Sequence, residues 1–575
     1  MYLFEIFRSF LPMRNPIGFG ASDFVVLVVA LLLVALLVAR AWVAPYTSEI
    51  AKRTFPCMGV LFGLPILLRL ALLPHCPVPI AAGADDFGYV LLGDTLRHFR
   101  LANPTHPLYP FFEAVFILQQ PTYASIYPLG QGIVLALGWF ISHSFWTGVL
   151  LSVGAFCALC YWMLRAWVAP GWALLGGLLA VIEFGVLNEW VNSYWGGAVS
   201  ACAGCLVFGS LPRLWRSAQA RHGLLLGLGL ALQLLTRPFE TVLLAICVAV
   251  YVFFAFRTKL MFVARPALAG SVAVLAALGL MLLQNKAVTQ NWTTLPYMLS
   301  RYQYGVPTTF TFQPNPVPHR QLTAEQDLDY RAQAAIHGSD TDTVAGYFNR
   351  LAYRFRYLRF FLLPPLYLAL LAVLPSLRDW RYLWAAGTIG LFAIGTNFYP
   401  FFFPHYVAAV TCLFVLLAVR GLENLSRLNF LRWQGGEAAA QYVLLLCGVS
   451  FMFWFGLYAS GNDRLLPVTT YQRWNFINRG DPEGRIAVHN QLAHVPGKQL
   501  VFVRYSPFHR FHEWIHNAAD IDAAQIVWAN DLGPEENEKL LRYFAGRKPW
   551  LLEPDAHPPA LRPYETGSGE FLTVH

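Results

Sequence analysis

A chain of 575 residues that is 57% hydrophobic and only 13% charged, with a mean hydropathy of +0.47, is excluded from the ordinary soluble class, where about a quarter of residues are charged. Aromatic residues reach 15%, with 18 Trp, as expected where amphipathic rings collect at membrane–water interfaces. The net charge of +9 is spread between apolar runs without forming a basic stripe, which argues against a nucleic-acid partner.

In chain order, residues 1–21 read as an N-terminal interfacial segment carrying Arg8 and Arg14. The first apolar run, Phe24 to Ala39, has no small-residue cleavage site behind it and reads as a retained span rather than a signal peptide. At roughly 20 apolar residues per crossing, spans are predicted at 22–42, 54–75, 146–168, 172–189, 197–211, 223–236, 240–256, 267–284, 358–375, 382–399, 404–419 and 439–458. Basic residues gather in alternate short loops: Arg213, Arg216 and Arg221; Arg257, Lys259 and Arg265; Arg378 and Arg381; Arg420, Arg427 and Arg432. The loops Glu189–Gly197 and Asn397–His405 have none, and Thr236–Glu240 has only Arg237. The positive-inside rule assigns the basic loops to the cytoplasm and the C-terminal region to the outside. Residues 128–142 are apolar but short, opened by Pro128, Gly130 and Gly132; they either cross, which puts Asp85 in the cytoplasm, or return to the same face.

The CxxC pairs Cys157/Cys160 and Cys202/Cys205 fit zinc spacing. Inside apolar runs, however, they read as small residues that let helices approach closely. Two long polar regions remain, an outer loop over 285–357 and a small α/β domain over 460–575. In the latter, a short helix is predicted at Arg485–Val495, strands at Gln499–Arg504, Gln525–Asn530 and Lys548–Leu552, and a helix opened by Pro534 with Glu535 and Glu536 in its first turn. That region has no cysteine and hence no disulfide.

The stretch with the strongest chemical signal is the loop over 76–145. Asp85 and Asp86 lie just past a span, where charge is costly and tends to mark function. They are followed by Tyr89, by Asn103–Pro110, and by the Pro-rich aromatic run Pro121–Gln131 that includes Tyr127. With these residues in this order, the chain resembles the GT-C superfamily of membrane glycosyltransferases, in the branch of the protein O-mannosyltransferases and aminoarabinose transferases. That branch carries a paired-acid motif in its first extracytoplasmic loop, often Asp-Glu where this chain has Asp85-Asp86. The resemblance covers roughly residues 54–460, with the span at 22–42 an addition.

The resemblance implies an all-α polytopic membrane fold of about twelve transmembrane helices (22–459) with a small C-terminal α/β extracytoplasmic domain. It also implies that 128–142 returns without crossing and that both termini lie outside an inner membrane. The implied partners are a polyprenyl-phosphate sugar donor, membrane lipid, and a glycan, lipid or protein acceptor; a divalent cation is allowed but not required. Asp85 would act as general base in an inverting transfer, with Asp86 orienting it or holding the acceptor. Arg237 is the candidate for the donor phosphate, at a helix start opened by Pro238 and paired with Glu240. Arg301, beside Tyr304, is a second candidate. Glu189, Asn192 and Tyr194 suggest a sugar-binding surface, or else interfacial anchoring; His405 is placed to reach the same cavity. Two other readings stand beside this one. A transporter or lipid-linked-sugar flippase would use midplane acids and broken helices. A zinc protease would use His512, Glu513 and His516 as HExxH on a helix.

Overall fold

The computed structural model describes residues 21–35, 49–256, 264–338, 342–355, 360–428, 435–461, 482–507, 509 and 513–565. The chain forms two compact units. The first comprises Met1–Pro79, Trp146–Leu280 and Asp342–Ile477, and the second Ile80–Phe145, Met281–Thr341 and Asn478–His575.

The first unit is helical. Among the described residues of the whole chain, seven helices are long and apolar enough to cross a membrane: Thr54–Ala71, Phe145–Leu164, Gly197–Arg216, Pro238–Phe256, Ala264–Thr289, Pro404–Ser426 and Gly435–Ala459. Four more apolar helices are shorter: Leu129–Ser142, Pro170–Phe184, Ala220–Thr236 and Leu366–Arg378. Length alone therefore does not reach the twelve crossings expected from hydropathy. Hydropathy windows register an apolar stretch wherever it runs, whereas helices start and stop at local signals such as Pro170 and the Pro364-Pro365 pair. Part of the first expected span, residues 36–42, lies outside the described residues. Packing is close enough that Gly204 is obligatory, since a Cβ there would stand 1.7 Å from the carbonyl oxygen of Ala409. All nine cysteines are free and buried, in accord with the close-packing reading of the CxxC pairs.

The second unit is built around a four-stranded sheet. A two-residue ladder, β1 (Ile117–Leu118) and β2 (Ala124–Ser125), precedes it in the chain. The sheet has the order β4-β3-β5-β6, with β3 Gln499–Val503, β4 Ile526–Asn530, β5 Lys548–Glu553 and β6 Ala560–Pro563. β3 pairs in parallel with β4 and β5, and β5 pairs antiparallel with β6. Strands β3 to β5, and the helices Arg485–Ala493 and Pro534–Tyr543, stand where the sequence predicts them. β6 is the strand the sequence does not announce. Three stretches far apart in the chain share one core here: Leu91, Phe111, Phe112, Ile117 and Tyr123 pack with Val501, Phe502, Trp514, Trp528 and Leu552. Asn530 of β4 adds hydrogen bonds to the carbonyls of Phe111 (3.2 Å) and Glu113 (2.8 Å).

Candidate active site

In the second unit, Asp85 and Asp86 occupy the first turn of the helix Ala84–Arg97. Gly83 enters in extended conformation, and two acids at a helix N-terminus complement its dipole. The Tyr127 hydroxyl donates to Asp85 Oδ1, and the Tyr127 ring stacks on Tyr89 with centroids 4.1 Å apart. Gly88 makes this possible: a Cβ there would lie 2.6 Å from the Tyr127 ring. Asp86 is buried, its Oδ2 accepting from the Ala82 amide at 3.4 Å.

The sheet-bearing part of this unit holds the acid helix at both ends. Arg485 donates to the carbonyls of Ala82 (3.2 Å) and Glu513 (2.7 Å), with its guanidinium 4.4 Å over Trp514 and 5.5 Å over Phe87. At the other end, Asp94 Oδ2 accepts from the Ala519 amide at 2.6 Å, and Asp94 also pairs with Arg97.

A second group of acids surrounds this frame. Glu113 accepts from the Tyr304 hydroxyl (2.8 Å) and Gln326 (3.2 Å) and pairs with Arg320 (2.9 Å). The helix Ala324–His337, opened by a Thr323/Gln326 capping box, brings Glu325 and Asp329. Burial, and then the proximity of the two carboxyls, pushes Glu513 well above the usual carboxylate range, and burial pushes Glu325 up to about 7. Glu513 also accepts from the Tyr505 hydroxyl (3.0 Å) and the amides of Val115 (3.2 Å) and Ile515 (2.9 Å). Asp329 is raised to about 7 by burial and then by the negative charge of Asp85 and Glu513, although Gln333 donates to it.

In the first unit, Arg237 precedes the helix Pro238–Phe256, stands 4.8 Å over the Tyr406 ring, and has its Nη1 3.9 Å from Glu240 Oε1. Glu240 and His405 are buried, and Glu240 Oε1, His405 Nδ1 and Trp195 Nε1 have no hydrogen-bond partner among the described residues. The Trp195 and His405 rings meet edge to face at 5.3 Å, and His405 meets Tyr406 at 4.8 Å. Buried polar atoms left unpaired cost stability unless a ligand or water completes them.

The remaining predicted residues have structural partners. Asn192 accepts from Arg69 Nε at 2.8 Å and donates to the carbonyls of Asn188 and Val186. Tyr194 donates to the Pro79 carbonyl at 3.0 Å. Glu189 is buried in a 3-10 turn, and its carbonyl accepts from Ser193. Arg69, inside the span Thr54–Ala71, also donates to the carbonyls of Cys76 and Pro77, both at 3.0 Å. The loop Glu189–Gly197 and Arg69 thus brace the chain leading toward Asp85. Arg301 donates to the carbonyls of Pro307 and Thr308, both at 3.1 Å, and lies over Tyr297.

The protease reading is corrected. His512 lies outside the described residues, and residues 513–518 form no helix, so HExxH has no shared face to offer. His516 is stacked on Phe87 (4.3 Å) and Trp528 (5.0 Å), its Nδ1 is 2.8 Å from the Trp514 carbonyl, and burial lowers it to about 3. Among the described residues no three His, Cys, Asp or Glu side chains gather as a metal-ligand set.

Sequence reasoning missed Arg69, Arg485, Glu113, Glu325, Asp329 and the structural use of Glu513. Arg69 was detectable, as a charge within an apolar run. The others lie in polar stretches where one charged residue looks like the next.

No protein-family model matches the chain, and no curated protein matches it. Among solved structures, it is similar to ArnT from Cupriavidus metallidurans in the apo state, with 13% identity and a TM-score of 0.47 over 86% of this chain and 92% of that one. The same protein bound to undecaprenyl phosphate gives 11% identity and a TM-score of 0.46 over the same shares. The Archaeoglobus fulgidus oligosaccharyltransferase tethered with an acceptor peptide gives 11% and 0.45, over 86% of this chain and 68% of that one.

Proposed function

We propose that this chain is a polytopic inner-membrane glycosyltransferase that moves a sugar from a polyprenyl-phosphate donor to an acceptor hydroxyl on the outer face of the membrane. The observation that carries the reading is Asp85: a carboxylate in the first turn of a helix, oriented by the Tyr127 hydroxyl within a unit bonded at both ends of that helix. A base held in a single orientation is what deprotonation of an acceptor requires.

In the proposed step, Asp85 takes the hydroxyl proton as the acceptor oxygen bonds to the anomeric carbon. The carbon–oxygen bond to phosphate breaks, the phosphate leaves with the bonding pair, and the anomeric configuration inverts. No second carboxylic acid is needed, because the polyprenyl phosphate is already a competent leaving group. Asp86, on the Ala82 amide, orients the start of the helix. Arg237, at the start of the helix Pro238–Phe256, receives the phosphate charge; Glu240 orients Arg237, and His405 and Trp195 offer further polar atoms. The C-terminal α/β region, on the same outer side, supports the acid helix.

The test is transfer of labelled sugar from a polyprenyl phosphate by the purified protein in lipid nanodiscs, beside binding of the same donor. Asp85→Asn should abolish transfer and leave donor binding intact. Near-normal transfer by that variant would remove Asp85 as base. Donor movement across the bilayer without transfer by the wild type would favour the flippase reading.

A further inference from the structure

The second unit contains a cavity of about 380 Å³ beside the acid helix, within the size range of small-ligand sites. Its walls include Phe87, Val90 and Leu91 of that helix, Trp139 of the helix Leu129–Ser142, and Ile526 and Trp528 of β4. The polar groups are few: the Asp94–Arg97 pair, His489, His516, Asn517 and Gln525. A space of this size admits an alkyl chain.

The helix Leu129–Ser142 indicates what enters. Its 14 residues extend roughly 21 Å at 1.5 Å per residue, well short of a hydrocarbon core of about 30 Å. Trp139 faces the cavity, while its neighbours Leu137, Phe140 and Ile141 are exposed, and Phe140 stacks on the 89% exposed Phe99. An apolar helix of this length fits an interfacial or re-entrant segment rather than a crossing. Exposed apolar residues and cavity wall therefore belong to one short helix. Because Asp94 balances Arg97 in the lining, the charge there suits a neutral or zwitterionic head over a net anion.

We propose that this cavity binds one alkyl chain of a neutral or zwitterionic amphiphile drawn from the bilayer. The site is independent of sugar transfer and holds whether or not Asp85 is a base.

The experiment introduces one reactive thiol, Ala518→Cys, on the cavity wall; the nine native cysteines are buried. Maleimide labelling is timed in phosphatidylcholine nanodiscs with hexyl, octyl or dodecyl maltoside below solubilising concentration. Dodecyl maltoside should slow labelling at least tenfold, hexyl maltoside should not, and filling the cavity with Ala524→Trp, or from the opposite wall with Val90→Trp, should remove the difference. Slow labelling before any addition, made fast by depleting bilayer lipid with cyclodextrin, supports the site with phospholipid as its occupant. Equal rates at every chain length in the lipid-depleted protein, or a chain-length effect that survives both filling variants, would overturn it.

Discussion

The surroundings of Asp85 in the second unit and of Arg237 in the first hold their polar groups in different ways. Around Asp85 the side chains are tied down: Tyr127 on Asp85, Arg485 on Ala82 and Glu513, Ala519 on Asp94, and three donors on Glu113. Around Arg237, buried atoms of Glu240, His405 and Trp195 lack hydrogen-bond partners among the described residues. A saturated network fixes geometry before substrate arrives, as a base requires, whereas an unsaturated buried cluster is completed by what binds to it. In the proposed function this difference goes with proton chemistry at Asp85 and charge recognition at Arg237.

The strongest attempt to break that contrast is Asp85→Asn. Transfer rate should fall by about 10²–10⁴-fold, the usual worth of a general base, in a single-turnover assay with donor binding unchanged; a matched loss of binding would erase the distinction between the units. Arg237→Gln should do the reverse. Removal of a charge-assisted contact worth about 1.5–3 kcal/mol predicts donor affinity weakened by roughly 10–100-fold, read by titration with the labelled lipid, with the Asp85 unit unaltered in thermal unfolding. Arg485→Met sharpens the account of the saturated side. It strips the buried Glu513 carbonyl and the part-buried Ala82 carbonyl of a charged donor, so unfolding should lose about 2–3 kcal/mol and kcat should fall more than KM rises; a variant stable and active at wild-type level would show that the acid helix needs no such brace.

The pH response comes next. Burial raises Glu325 and Asp329 from the usual carboxylate range, about 4, to about 7 in the fold. A carboxyl raised by folding contributes stability that is fully present below its unfolded value and is lost as pH rises through its folded value. Docking of the helix Ala324–His337 should therefore weaken between about pH 4 and pH 7, seen as rising proteolytic cleavage after residue 320; Glu325→Gln with Asp329→Asn should flatten the profile. The smallest effect is expected of Tyr304→Phe. It removes one hydrogen bond to Glu113 and one acceptor for Arg320, and should cost about 1 kcal/mol by denaturant titration.

Much of the architecture was readable without coordinates, because burying apolar surface in lipid or in a sheet leaves a periodic record along the chain. The apolar runs became helices, and QLVFV, IVWAN and KPWLLE became β3, β4 and β5. Asp85 and Asp86 stood out because charge beside a bilayer is costly. The roles of partners were not readable. Asn192 and Tyr194, which look like sugar ligands, are spent on Arg69 and the Pro79 carbonyl. Glu513, which looks like a metalloprotease base, is a buried acceptor paired with Glu325.

The sequence by itself determined a membrane-embedded helical chain with a small α/β region and one conspicuous pair of acids, since composition and periodicity are local and additive. Only the tertiary structure decided which polar groups are satisfied and which are left open. Hydrogen bonding joins residues hundreds of positions apart, as in Arg485 with Ala82, and no window along the chain contains both partners.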